Sequence, residues 1–165
     1  MTGRQTTGLI IGKFAPLHKG HQFLIESALA KVGRLIVLVY DVPEITRVPV
    51  EVRAGWIKKM YPEAEVVNAG IGPKETGSAP EINKLHIDYA KSKLPKDAKI
   101  DFVFSSENYG EFLADALGAE NIAVDKGRVN VPISAGKIRG NLKACKKYVE
   151  DFVYEDLIKY GEGKI

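Results

Sequence analysis

Two histidines stand three residues apart in Gly12-Lys13-Phe14-Ala15-Pro16-Leu17-His18-Lys19-Gly20-His21, and two lysines share the stretch. The run before it, Gly8-Leu9-Ile10-Ile11, is short, apolar and partly β-branched, which reads as a buried strand. The run after it, Phe23 to Val32, reads as a helix with Leu24, Ala28, Leu29 and Val32 on one face and Gly33 as its C-cap. Strand, turn and helix in that order leave backbone N–H groups free at the carboxyl edge of a sheet. A helix N-terminus there favours anions. Imidazoles and lysines at the same corner suit a polyphosphate. A histidine at a helix start is commonly a cap, and Gly and Pro commonly make turns. Ordinary turn chemistry gives no reason for two histidines at this spacing.

A second stretch with the same chemistry is Pro132-Ile133-Ser134-Ala135-Gly136-Lys137-Ile138-Arg139. Ser134 is a good N-cap, and the amides behind it are free to bind a phosphate oxygen. Lys137 and Arg139 add charge, and a guanidinium grips phosphate through two parallel hydrogen bonds.

Gly-x-Phe-x-Pro-x-His-x-Gly-His resembles the signature of the nucleotidyltransferase superfamily, whose members join a nucleoside triphosphate to a phosphorylated acceptor and release pyrophosphate. The second stretch resembles that superfamily's Ile-Ser-x-x-x-Ile-Arg. The resemblance implies that His18 and His21 contact the triphosphate. It implies that Ser134 and Arg139 hold the β- and γ-phosphates and that Lys13 helps neutralise the triphosphate, with Lys137 as added charge and Gly12, Phe14 and Gly20 as part of the nucleotide site. Many members place Thr two residues after the Ser, where this chain has Gly136, so one hydroxyl contact is lost while the backbone cradle is kept.

Phe102-Val103-Phe104-Ser105-Ser106-Glu107, the Asp125 to Arg128 turn and the Ile-Ser…Ile-Arg stretch follow one another as in nicotinamide-mononucleotide adenylyltransferases. They are similar to the transferase domain of bifunctional NAD-biosynthesis regulators. That resemblance implies ATP as donor, with Mg²⁺ held mainly by its phosphates, and a nicotinamide or nicotinate mononucleotide as acceptor. It places Ser106 near the adenosine, Arg128 near the triphosphate, and Thr46 and Arg47 in a loop near phosphate. Those regulators carry a C-terminal kinase domain, which is not expected here; nor is there a cryptic phosphate-binding loop, since Gly72-x-x-x-x-Gly77 is followed by Ser78 without its lysine. Relatives often stack a Trp on the acceptor's pyridine ring. Between Gly70 and Tyr89 this chain offers only His86 and Tyr89 as aromatic side chains. Another phosphorylated acceptor, such as phosphopantetheine or a polyol phosphate, and a nucleotide sensor without turnover stay open on the sequence.

The elements that must position these residues alternate. Leu35 to Tyr40 is near-continuously apolar, the pattern of a strand covered on both faces. Val50 to Met60 reads as a helix behind Pro49, with Val52, Trp56 and Met60 stacked and Trp56 in the core. Glu65 to Ala69 reads as a strand and 70–80 as a loop. Glu81 to Lys93 reads as a helix with Ile82, Leu85 and Tyr89 inward and His86 as a partly buried structural residue. Ile100 to Phe104 is a strand, Ser105–Asn108 cap a helix from Tyr109 to Leu117 stopped by Gly118, and Asn121 to Val124 is a strand. The last helix runs from about Lys147 to Tyr160, with 161–165 a frayed tail. Alternation of this kind gives an α/β fold: one Rossmann-like domain over 1–165, a doubly wound parallel sheet with its site at the strands' carboxyl ends.

Composition narrows the function classes. The chain has 165 residues, enough to bury a core, and 24 basic against 21 acidic residues, too balanced for a nucleic-acid surface. No apolar run is long enough for a membrane span, and 1–7 has no signal-peptide core behind it. The single Cys145 forms no internal disulfide, reads as a packing residue, and has no Cys/His cluster of zinc spacing around it. The expectation is a cytoplasmic enzyme for small molecules, without nucleic-acid or membrane partners and with no carboxylate cage for a metal. Homo-oligomerisation is left open by the sequence.

Overall fold

The apolar run 35–39 demands cover on both faces, and the computed structural model supplies it. The described residues are 5–77, 79–107 and 109–162. Among them five parallel strands form one sheet in the order β3-β2-β1-β4-β5. These are β1 (Thr7–Gly12), β2 (Arg34–Asp41), β3 (Glu65–Ile71), β4 (Phe102–Ser105) and β5 (Glu120–Ala123). The helices are α1 (Lys19–Leu29), α2 (Val50–Met60), α3 (Pro80–Lys93), α4 (Tyr109–Leu117), α5 (Ala135–Gly140) and α6 (Asp151–Lys159). Strand order reverses between β1 and β4, which pair directly through Gly8–Phe102 and Leu9–Val103. In a doubly wound sheet that reversal opens the crevice where ligands bind.

Alternation along each strand sorts side chains into two cores. Ile10, Leu35, Val37 and Val39 pack with Ile25, Ala28, Ile57, Val153 and Leu157 from α1, α2 and α6. Leu9, Ile36, Leu38 and Val103 pack on the other face with Ala90, Leu113 and Ala114 from α3 and α4. Because Leu38 is fully buried, truncating it to alanine costs about 2–5 kcal/mol through lost transfer energy and the cavity left behind.

Several boundaries differ from the sequence expectation, each for a local reason. Helix α1 starts at Lys19, four residues before Phe23, because His18 caps it; Gly33 donates to Thr6 O at 3.1 Å and does not cap the helix. Strand β3 runs on to Ile71 through an irregularity: Asn68 pairs with Val39 and Gly70 with Tyr40, leaving Ala69 as the extra residue. The Tyr89 hydroxyl donates to the carbonyls of Ala69 and Gly70 at 2.8 and 3.1 Å, which satisfies that bulge. On α3 the apolar stripe is Ile87, Ala90 and, just beyond, Leu94, whereas Leu85 is exposed.

The expected helix 147–160 is broken in two. A single 3₁₀ turn (Lys146–Tyr148) is followed by extended Val149 and Glu150 before α6. Burial of Val149 in the core and an ion pair from Glu150 to Lys19 hold the break. Trp56 is buried as expected, and its Nε1 donates to Asp156 at 2.7 Å. Cys145 packs partly buried against the same core. Residues 161–162 are not frayed: Glu162 N donates to Leu157 O at 2.9 Å. The rest of the expected tail, 163–165, and the helix cap at Asn108 lie outside the described residues. No helix among the described residues is long and apolar enough to cross a membrane.

Candidate active site

At the carboxyl edge of β1 and β4 lies a cavity of about 480 Å³, within the range of small-molecule sites. The turn between β1 and α1 builds one wall. Phe14 is buried there with φ at 50°, and its ring lies 4.7 Å from that of His21. His18 is also buried, and its ring stacks on that of His21 with centroids 3.7 Å apart.

The two histidines form a reciprocal capping box. His18 Nδ1 accepts from the N–H groups of Gly20 and His21 at 3.0 and 3.3 Å, while His21 Nδ1 accepts from His18 N at 3.2 Å. Turn chemistry therefore does account for the spacing, contrary to the sequence argument, and it does so without consuming the other ring nitrogens. A nitrogen that accepts carries no proton, so each neutral ring holds its proton on Nε2. Burial first, then the nearby Arg128 charge, pushes the His18 pKa down to about 4. Burial, then His18 and Arg128, holds His21 well below the ordinary histidine value. Both rings are therefore neutral donors at physiological pH. Gly20 is required here, since a Cβ would lie 2.8 Å from His18 Cε1 and 3.0 Å from its Nδ1.

The second motif meets the first across the cavity. Ser134 caps α5, accepting from Lys137 N at 3.3 Å, and Arg139 reaches back to donate to Ala15 O at 2.7 Å. Lys13, Arg128 and Arg139 line the same space. Burial, then the charge of Arg139, lowers the Lys13 pKa. Cations held this close repel one another, and a bound polyanion relieves that repulsion. Arg128 sits at φ 52°, donating to Ile133 O at 2.7 Å and facing Glu107 at 3.4 Å. Its turn is shaped by Asp125, whose carboxylate accepts from the backbone of Val129, Asn130 and Val131, each at 2.9 Å. Those bonds, led by Asn130, keep the Asp125 carboxyl below the usual range.

Gly12, Phe14, Gly20, Ser106, Arg128 and Ser134 thus line one cavity with Lys13, His18, His21 and Arg139. Three expected site residues do not. Lys137 is exposed outside the cavity, because its place on α5 turns it away while Gly136 and Arg139 face in. Thr46 and Arg47 face the far end of the chain, where the Glu162 carboxylate accepts from the Thr46 hydroxyl and Arg47 N, both at 2.6 Å.

Another part of the lining is aromatic. Tyr40, Tyr89, His86 and Tyr109 form it together with Pro73–Gly77. His86, expected as structural, has Nε2 2.7 Å from Glu75 O and lies edge-on to Tyr109. Burial, then Glu107 and Tyr89, pushes the Tyr40 pKa up to about 12. The Tyr109 hydroxyl is buried without a hydrogen-bond partner. Tyr40, Glu107 and Tyr109 were missed from sequence, although Tyr40 stands at the carboxyl end of the apolar strand, where ligands are expected. Among the described residues no group of three His, Cys, Asp or Glu side chains could hold a metal.

The fold is a single-sheet parallel α/β domain, and its two motifs resemble those of the nucleotidyltransferase superfamily. Among curated proteins the chain is similar to the trifunctional NAD biosynthesis/regulator protein NadR of Escherichia coli (strain K12), with 26% identity in an alignment 161 residues long that covers 84% of this chain and 37% of that protein. Among the solved structures that share the fold are two NadR complexes. A NadR protein in complex with NAD and AMP-PNP has a TM-score of 0.62 and 18% identity over 95% of this chain and 47% of that one. A NadR protein in complex with NR has a TM-score of 0.59 and 20% identity over 87% and 43%. The chain spans less than half the length of each of these relatives. No family model matches the sequence.

Proposed function

We propose that this protein transfers the adenylyl group of ATP to nicotinamide or nicotinate mononucleotide, giving NAD or its deamido form and pyrophosphate. One observation carries the reading: Arg139 of the second motif donates to Ala15 of the first at 2.7 Å, on a cavity that both motifs line. NadR complexes with NAD, AMP-PNP and NR support the ligand class. A cytoplasmic location belongs to the same reading.

An oxygen of the acceptor phosphate attacks the α-phosphorus of ATP in line. The bond from that phosphorus to the bridging oxygen breaks, and pyrophosphate takes the electron pair. The attacking phosphate is already anionic, so no general base is needed, and catalysis consists of positioning and charge stabilisation. His21 donates from Nε2 to an α-phosphate oxygen, and His18 donates to the leaving phosphates. Lys13 and Arg139 neutralise the triphosphate, Arg128 approaches it from the next turn, and the amides behind Ser134 receive its terminal oxygens. Of the cavity carboxylates, that of Asp125 is engaged by backbone amides and that of Glu107 by Arg128. This donor set fits Mg²⁺ carried in on ATP, held by its phosphates and water, which when bound would supply charge neutralisation for the leaving pyrophosphate. Tyr40, Tyr89 and His86 receive the acceptor's ring in place of the tryptophan expected from relatives.

Pyrophosphate release with MgATP tests the reading against a panel of acceptors. Either mononucleotide should react faster than phosphopantetheine or glycerol 3-phosphate, and cytidine triphosphate should be a poor donor. Faster reaction with another phosphorylated acceptor overturns the acceptor assignment. ATP binding without pyrophosphate release for any acceptor overturns the enzyme assignment.

A further inference from the structure

Arg53 lines no part of the cavity, is fully buried, and spends its guanidinium on the backbone behind the cavity lining. Nε donates to Val48 O at 3.1 Å. One terminal nitrogen donates to Lys13 O at 2.6 Å and Tyr40 O at 3.2 Å, and the other pairs with the Asp41 carboxylate. The Asp41 carbonyl in turn accepts from Gly72 N at 2.8 Å, where the loop to Pro73–Gly77 begins. One side chain thus joins the end of β1, the end of β2 and the entry to α2, and through Asp41 it reaches the end of β3.

A buried ion pair is weak evidence for stability, because desolvation offsets most of the Coulomb gain and an apolar side chain of similar volume often serves as well. What an apolar residue cannot do is hold these particular carbonyls. A lysine cannot either, since a single ammonium lacks the planar fork that reaches several acceptors at once. The two carbonyls that share one guanidinium nitrogen belong to residues whose side chains both line the cavity, side by side. Lys13 lies on the triphosphate side and Tyr40 on the acceptor side, with Lys13 Nζ 6.0 Å from the centre of the Tyr40 ring.

We propose that Arg53 is a positioning residue that fixes Lys13 against Tyr40, setting the triphosphate side and the acceptor side of the cavity in one register. The inference rests on the reading that both substrates meet in this cavity. In-line transfer is sensitive to such a register, because a displacement of about 1 Å costs on the order of a hundredfold in rate.

Arg53→Lys and Asp41→Asn test the inference, with Arg34→Lys at the opposite end of the sheet as the control. The first readout needs no ligand: the titration of Lys13 Nζ followed by lysine side-chain NMR, well below each variant's melting temperature. In the parent protein Lys13 should titrate below the exposed lysines. In Arg53→Lys it should move at least half a pH unit towards them; in Asp41→Asn, where the lost carboxylate charge opposes that movement, it should shift by at least half a unit in either direction; in Arg34→Lys it should not move. The second readout is binding of MgATP and of nicotinamide mononucleotide. Both should weaken about tenfold or more in Arg53→Lys, with kcat falling by a larger factor than either affinity. An unchanged Lys13 titration in both variants overturns the proposal, as does a folded Arg53→Lys that binds both ligands like the parent. If Arg53→Lys does not fold, the Lys13 titration in Asp41→Asn decides. Failure of the adenylyltransferase reading looks different: the parent then binds MgATP but releases no pyrophosphate, while the Lys13 titrations still report on Arg53.

Discussion

His18 and His21 each hold the other's backbone: His18 Nδ1 accepts from His21 N at 3.3 Å, and His21 Nδ1 accepts from His18 N at 3.2 Å. The same two rings that end a strand-to-helix turn are therefore locked in tautomer and orientation. Capping leaves one Nε2–H on each ring. Structure and proposed chemistry use different atoms of the same side chains.

Acid should undo this arrangement. His18 has a folded pKa of about 4 against an ordinary value of 6.5. Between those values the unfolded chain binds a proton that the folded protein refuses, so stability is full above about pH 6.5 and falls as pH drops towards 4. For His18 alone the loss is on the order of 3 kcal/mol, and His21 adds to it in the same direction. Chemical denaturation from pH 7 to pH 4.5 measures the slope. His18→Asn keeps a capping oxygen and removes the titration, so its stability should lie within about 1 kcal/mol of the parent at pH 7 and fall less steeply below. An equally steep fall in that variant would show that His18 is not the group refusing the proton.

His21→Ala and His21→Gln separate the two jobs. The alanine variant loses both the donor and the N-terminal box, so activity should fall by roughly two to three orders of magnitude and stability by about 0.5–2 kcal/mol. Glutamine at that helix position completes a capping box, so His21→Gln should recover most of the stability. Its activity should stay at least tenfold below the parent, because its amide does not sit where the imidazole Nε2 sits. Pyrophosphate release and a thermal melt on the two variants check both halves. Full activity in either would remove His21 from the α-phosphate.

The sheet and the cavity were legible in the sequence because hydrophobic runs and turn chemistry are local. Leu35–Val39 could only be a strand covered on both sides, and Ser134 before Ala135 could only begin a helix well. Arg53 was not legible as a buried group. The stripe Val52, Trp56 and Met60 says nothing of Arg53, whereas the buried face of α2 is wider, taking in Val50, Arg53, Ala54, Trp56 and Ile57. Thr46 and Lys137 were misplaced for a related reason. Which way a loop hydroxyl or a helix lysine faces is decided by Glu162 and by the roll of α5, both remote from the motif itself.

The aromatic wall should govern the acceptor more than the donor. Tyr40→Leu leaves the backbone carbonyl that Arg53 holds and removes the ring that stands beside Tyr89, 6.0 Å between centroids. Losing an aromatic partner of a flat base is worth about 0.5–1.5 kcal/mol beyond area. KM for the mononucleotide should therefore rise several-fold to about tenfold, while that for ATP changes by less than about threefold. A larger effect on ATP than on the mononucleotide would place the acceptor's ring elsewhere in the cavity.

Two basic residues of α5, two positions apart, should behave oppositely. Arg139 lines the cavity, donates to Ala15 O at 2.7 Å and lowers the pKa of Lys13. Lys137 is exposed and outside it. Charge-assisted hydrogen bonds are worth about 1.5–3 kcal/mol. Arg139→Ala should therefore weaken MgATP binding by roughly ten- to a hundredfold and release the turn at Ala15. Affinity for the acceptor's base should change little, because the guanidinium addresses polyphosphate. Lys137→Ala should change both affinities by less than about twofold, although both residues belong to the motif that resembles the phosphate-binding signature. Calorimetric titration of MgATP into the two variants reads the contrast directly. If Lys137→Ala weakens ATP as much as Arg139→Ala does, the phosphates lie over the outer face of α5 and the cavity between the two motifs is not where they bind.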